Sequence, residues 1–238
     1  MVDAELRAES ALRGAESALR GRRRKGAPPL PAAAAGYAAL GWPVCQGAAL
    51  AGRAAPRGGS GRACSCDRVG CPAPGGHPLS PAWQREASAD PAVVARWWQA
   101  RPDATILLVT GRVFDALDVP AAAVGTALDR LRQAGVRPGP VAVGAGDRAL
   151  FFVASRAVLA GDDEWWSCHL DCAPETVPAA AGLRWHCRDS YVVAPPSRLA
   201  GGQGARWVIQ PGAPHAAGSL PDALLLLGHL ADACEEIA

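Results

Sequence analysis

The segment from Pro56 to Pro81 is rich in Gly and Pro and poor in large apolar side chains. A loop of that length is uncommon inside a folded domain unless something staples it. Within it Cys64, Cys66, Cys71 and His77 follow the spacing C-x-C-x4-C-x5-H. Zinc takes four N or S ligands in a tetrahedron, and thiolates closely spaced on a tight loop supply them without a preformed core. The Gly and Pro residues between them provide the sharp turns. The pattern therefore predicts a structural zinc loop at residues 60–78, closed because all four ligands come from protein. The alternative is three thiols on a flexible loop, with His77 in an ordinary His-Pro turn. A second set, Cys168, His169, Cys172, His186 and Cys187, has poorer spacing and reads better as buried thiols and hydrogen-bonded imidazoles than as a second zinc site.

With 238 residues the chain can bury a core of its own. Half of them are hydrophobic, and the net charge is only +2, which argues against wholesale disorder. Residues 1–31 carry seven basic and four acidic side chains, leaving a body with 17 basic against 18 acidic. Such a body lacks the broad basic face expected of a non-specific duplex-DNA binder. The longest pure aliphatic run, residues 224–227, is far too short for a membrane span, and the charged start lacks the apolar stretch of a secretory signal. A cytoplasmic location is expected, with thiols or metal ligands rather than disulfides.

Residues 8–21 repeat A-E-S-A-L-R-G twice, and Arg22, Arg23, Arg24 and Lys25 follow. Two copies, each with a Gly, are too few for a coiled coil, so residues 1–30 read as a polar, basic tail. Residues 31–238 read as one domain. A helix after Pro31 should stop at Gly41, and Asp90-Pro91 should cap a helix carrying Val94, Trp97 and Trp98. Strands are expected at 105–110 and 113–119, separated by Gly111-Arg112. A helix from Pro120 to Gly135 precedes strands at 141–143 and 149–153, and short strands at 183–187, 191–193 and 206–209 lead to a final helix from Asp222. Strands interleaved with helices predict a two-layer α/β (α+β) fold built on a mixed sheet, with the zinc loop inserted.

The succession C-S-C-D-R-V-G-C-P-A-P-G-G-H-P, Trp97-Trp98 with R-P-D-A, T-G-R-V-F-D-A-L-D-V, R-A-L-F-F-V and Y-V-V-A-P-P-S resembles the bifunctional DNA primase/polymerase N-terminal domain, of the actinobacterial type, in the archaeo-eukaryotic primase superfamily. The resemblance covers about residues 31–210. It implies nucleotidyl transfer with two divalent ions, Mg²⁺ or Mn²⁺, held by paired carboxylates about 3.5–4 Å apart. The family's first motif is Asp-x-Asp on a strand, whose alternate residues share a face. Here Asp118 matches the first carboxylate and Pro120 occupies the second position. Asp115, three residues back, belongs on the opposite face, toward solvent. Asp118 could equally cap the helix that starts at Pro120.

The family's phosphate-binding His falls on Ala149, with Arg148 beside it leaving the other face, and the third-motif acid reduces to Asp189. The resemblance thus implies a primase/polymerase-like protein that has lost catalysis while keeping weak nucleotide or single-strand binding. Binding is expected in a groove between the Asp118 and Arg148 strands, with Arg148, Arg188 and Arg198 as phosphate contacts and the Trp165-Trp166 pair as a stacking surface. Two alternatives stand beside it. One is an active nucleotidyltransferase whose metal site is rebuilt around Asp118, Asp189 and Asp147. The other is a zinc-stapled scaffold that works through a protein partner.

Overall fold

A computed structural model describes residues 28–50, 64–66, 68, 70–144, 147–156, 182–200, 204–212 and 219–237. The tandem repeat, the basic run after it, and the 161–181 stretch with Cys168, His169, Cys172, Trp165 and Trp166 lie outside these residues.

Five α-helices and eight strands are present among the described residues: α1 (Leu30–Ala39), β1 (Val44–Gly47), α2 (Trp83–Glu86), α3 (Pro91–Ala100), β2 (Thr105–Val109), β3 (Phe114–Pro120), α4 (Val124–Gln133), β4 (Val141–Val143), β5 (Arg148–Ala154), β6 (Arg184–His186), β7 (Tyr191–Val193), β8 (Arg206–Ile209) and α5 (Ala223–Glu235). Local chemistry sets most of the boundaries. Asp90 accepts the Ala92 N–H and Asp222 the Leu224 N–H, two N-caps that start α3 and α5. Gly41 and Gly135, both at positive φ, end α1 and α4.

The strands divide between two sheets, β1-β2-β7 and β6-β3-β5-β4-β8, with antiparallel pairing throughout. One face of the larger sheet contributes Phe114, Ala116, Ala142, Leu150 and Phe152 to a core shared with α1, α3 and the smaller sheet. Its other face buries Leu117, Val119, Ala149, Phe151, Val153 and Trp185 against α4 and α5. Trp42 joins the layers, with its ring 4.7 Å from Phe114 and 5.1 Å from Phe152. Truncating an aromatic so completely buried typically costs about 3–5 kcal/mol.

The Y-V-V-A-P-P-S segment is a seam between these parts. β7 pairs with β2, Ala194 N–H donates to Ile106 O, and Ser197 Oγ accepts the Ile106 N–H at 2.8 Å. Tyr37 of α1 donates its hydroxyl to Pro195 O and accepts from Trp207 Nε1 of β8. One phenol therefore ties helix, seam and large sheet together.

Candidate functional site

Two clusters of chemically active side chains stand out, and the pairing register explains the first. Asp118 on β3 lies opposite Leu150 of β5 and Arg184 of β6, while Arg148 lies opposite Pro120 and His186 opposite Ala116. Residues two apart on a strand share a face, so Asp118, Arg148 and His186 converge. Arg148 Nε donates to Asp118 Oδ1 at 2.8 Å, and its Nη2 donates to the Asp118 and Gly182 carbonyls. His186 Nε2 donates to Asp118 Oδ2 at 3.1 Å, and its Nδ1 meets Ser190 Oγ at 3.1 Å. Both oxygens of the carboxylate are taken, and the Asp118 side chain is only 7% exposed.

The connectivity Ser190–His186–Asp118 is that of a hydrolytic triad. Ser190 is 3% exposed, however, so its hydroxyl has no room to reach a substrate carbonyl. The chain of bonds acts to hold the β6–β7 turn against β3.

Several expectations need correction here. Asp118 caps no helix: the 3-10 turn after β3 has Pro120 at its N-cap and no side-chain cap. Arg148 shares the Asp118 face, and Ala149, where the family's His would be, points into the core beneath α4 and α5. β3 and β5 are hydrogen-bonded neighbours, so no groove separates the Asp118 and Arg148 strands.

Asp115 does occupy the opposite face, yet it is fully buried rather than solvent-facing, because that face is covered by helices. Trp185 Nε1 and the Arg156 N–H donate to its Oδ2. Burial pushes its carboxyl above the usual range, against the opposing pull of hydrogen bonds from Arg156, Ser155, Trp185 and Gly111.

The three arginines expected to meet phosphate are not gathered. Arg148 is held by Asp118. Arg188 is exposed in the turn after β6, where its backbone packs so closely on Gly111 that a Cβ there would lie 2.3 Å from Arg188 Cα. Arg198 is exposed with its carbonyl beside Gly75 of the cysteine loop. Asp147 and Asp189 sit exposed at positive φ in turns. The partners His186 and Ser190 were not singled out for Asp118 from sequence, since only the β3–β6 register brings them there.

The second cluster matches expectation. One ligand atom from each of Cys64, Cys66, Cys71 and His77 lies within 4.8 Å of all the others. With Zn–S near 2.3 Å, a tetrahedral edge is roughly 3.8 Å, and Cys64 Sγ to His77 Nε2 is 3.4 Å. His77 Nδ1 donates to Pro78 O at 2.9 Å, which leaves Nε2 as the lone-pair donor and fixes the ring. Burial favours the neutral Cys64 thiol, but hydrogen bonds from the Cys66 and Gly75 N–H groups, with the Cys66 side chain, bring it down to about 6.

Cys71 goes up to about 11, by burial first and then, despite an N–H from Ala73, by the Cys66 and Cys64 sulfurs beside it. Three thiols this close ionise together only around a cation, so the donor set fits a metal ion such as zinc. Gly75, at φ +79, turns the loop where Leu50 and the Arg198 carbonyl leave little space. The loop joins the body through Ala48 N–H to His77 O and Thr105 Oγ1 to Gly75 O.

Paired catalytic metals fit poorly. Among the described residues, no other group of three or more His, Cys, Asp or Glu side chains comes close enough to share an ion. Asp118 is saturated by Arg148 and His186, and Pro120 stands where a second carboxylate would share its face. Also among the described residues, no helix is long and apolar enough to cross a membrane.

Residues 34–223 match the family described as bifunctional DNA primase/polymerase, N-terminal. A comparison with curated proteins finds no match.

Proposed function

Because the chain belongs to the bifunctional DNA primase/polymerase N-terminal domain family, we propose that it is a degenerate member that no longer joins nucleotides and acts by weakly binding nucleotide or single-stranded nucleic acid. The observation that carries this reading is the saturation of Asp118: Arg148 occupies one oxygen and His186 the other. A guanidinium in that place supplies the positive charge that a metal ion would have brought, but it cannot activate an attacking hydroxyl or stabilise the leaving oxygen as paired ions do. In-line transfer depends on positioning and charge neutralisation, so most of the rate enhancement goes with the ions. The cysteine cluster would hold zinc as a structural staple, and residues 31–238 would act as one unit around it.

Primer extension with Mg²⁺ and with Mn²⁺, run beside a nucleotide-binding assay, tests the proposal. No extension with either ion, together with weak salt-sensitive binding, is the expected result. Metal-dependent extension that disappears in Asp118→Asn would overturn it and establish a rebuilt site. Absence of any binding to nucleotide, single strand or duplex at low salt would instead favour a scaffold acting through a protein partner.

A further inference from the structure

The outer face of the β1-β2-β7 sheet, turned away from the large sheet, carries Cys45, Leu107, Val109 and Tyr191, with Trp83 packed against them. At the β1 edge of this sheet, beside α2 and the end of α3, lies a cavity of about 230 Å³ walled by Trp83, Trp97 and Cys45, with Gln46, Glu86 and Arg101 among its polar lining. A neighbouring cleft of about 710 Å³ shares Leu79, Ser80, Glu86 and Arg101 with it and has Ser65 of the cysteine loop in its lining. From these features we infer a nucleobase-stacking site for single-stranded nucleic acid, separate from the Asp118 cluster.

The lining is specific in its chemistry. Trp83 and Trp97 are both half-buried and present indole surface, which every base can stack against. Gln46 Nε2 donates to Trp97 O at 3.0 Å, which fixes the amide, while its Oε1 has no hydrogen bond among the described residues and is left to accept from a base edge. Glu86 and Arg101 line the same cavity without pairing with each other or with another described side chain. A carboxylate accepts from the amino group of cytosine, and a guanidinium answers phosphate. Arg101 borders both the small cavity and the larger cleft, so a base in the first would direct its phosphate toward the second, where the strand can continue.

Asp103 also lines the larger cleft. With one cation, Arg101, against the two carboxylates Glu86 and Asp103, stacking rather than phosphate neutralisation should carry the affinity. The salt dependence should then correspond to about one phosphate contact.

The inference rests on the proposal that the protein binds single strands. Its test is fluorescence anisotropy of the full chain with labelled dC12 and dT12 oligonucleotides at low salt, with dCMP as competitor. dC12 should bind more tightly than dT12, and dCMP should compete only at much higher concentration. Trp83→Ala should weaken dC12 about tenfold, within the range of one lost stacking contact. Glu86→Gln, on an exposed helix end, should keep the fold and erase the preference for dC12. Arg101→Gln should flatten the salt dependence by about one.

No oligonucleotide binding by the unaltered protein would overturn the binding reading and this site together. Binding that is intact in all three variants but lost in Arg188→Glu or Arg198→Glu would overturn this site alone. dCMP binding as tightly as dC12 would refute the strand reading in favour of a mononucleotide pocket. Should Trp83→Ala unfold, a 5-iodocytosine crosslink decides: adducts on the peptides holding Cys45, Trp83 or Trp97 support the site, and adducts elsewhere refute it.

Discussion

Replacing Arg148 by Ala should reveal what Asp118 does in this protein. The guanidinium is 14% exposed and the carboxylate 7%, and their contact at 2.8 Å is supported by Nη2 bonds to two carbonyls. Removing one member of a buried ion pair leaves its partner desolvated and typically costs 3–5 kcal/mol. The remaining His186 contact and the slight exposure of both groups put the expectation at the lower end, about 3 kcal/mol. For a domain of this size that corresponds to a drop of roughly 6–12 °C in Tm.

Asp118→Asn in the same background should recover a large part, because an amide is cheaper to leave unpaired than a carboxylate. Urea unfolding of the four proteins in the double-mutant cycle gives the coupling energy from shifts in midpoint at constant slope. A loss below about 1 kcal/mol for Arg148→Ala, or strict additivity of the two changes, would show that the pair is not the buried structural contact described. It would return Asp118 to the list of available metal ligands.

Protein purified without chelator should contain one zinc per chain by elemental analysis. Cys66→Ser should reduce that content and increase proteolysis within residues 56–81 while leaving the core melt nearly unchanged, since the four ligands are local in sequence. Tyr37→Phe should cost about 1–3 kcal/mol by urea unfolding, because it strips the partner from Trp207 Nε1 and from Pro195 O. Asp115 sets a pH dependence. Its folded pKa is raised by burial, so the folded state binds the proton more tightly than the unfolded chain does. Its contribution is therefore full below about pH 4 and is lost as pH rises through the folded pKa. Asp115→Asn should accordingly gain on the unaltered protein between pH 4 and 7, and a constant difference across that range would refute the burial argument.

What could be read from the sequence was what depends on near neighbours. Asp90 and Asp222 cap their helices, Gly41 and Gly135 end theirs, and the Cys64–His77 spacing closes on itself because all four ligands lie on one loop. The Asp118 environment could not be read in the same way. Its partners Arg148 and His186 are 30 and 68 residues away in sequence and arrive only through the β3–β5 and β3–β6 registers. A one-residue difference in register exchanges faces, which is why Arg148 and Ala149 were expected on each other's sides. Asp115 was misplaced for a different reason. Alternation assigned its face correctly, but nothing local indicated that Trp185 and the α4–α5 layer cover that face.

Direct measurement of Mn²⁺ at Asp118 tests the proposed loss of catalysis most closely. Electron paramagnetic resonance of the zinc-loaded protein titrated with Mn²⁺, with and without nucleotide, reports bound ion independently of any activity. Occupation of both Asp118 oxygens by Arg148 and His186 predicts that the spectrum matches that of the same Mn²⁺ and nucleotide solution without protein and is unchanged by Asp118→Asn. Two bound Mn²⁺ per chain in the presence of nucleotide, lost in Asp118→Asn, would contradict it.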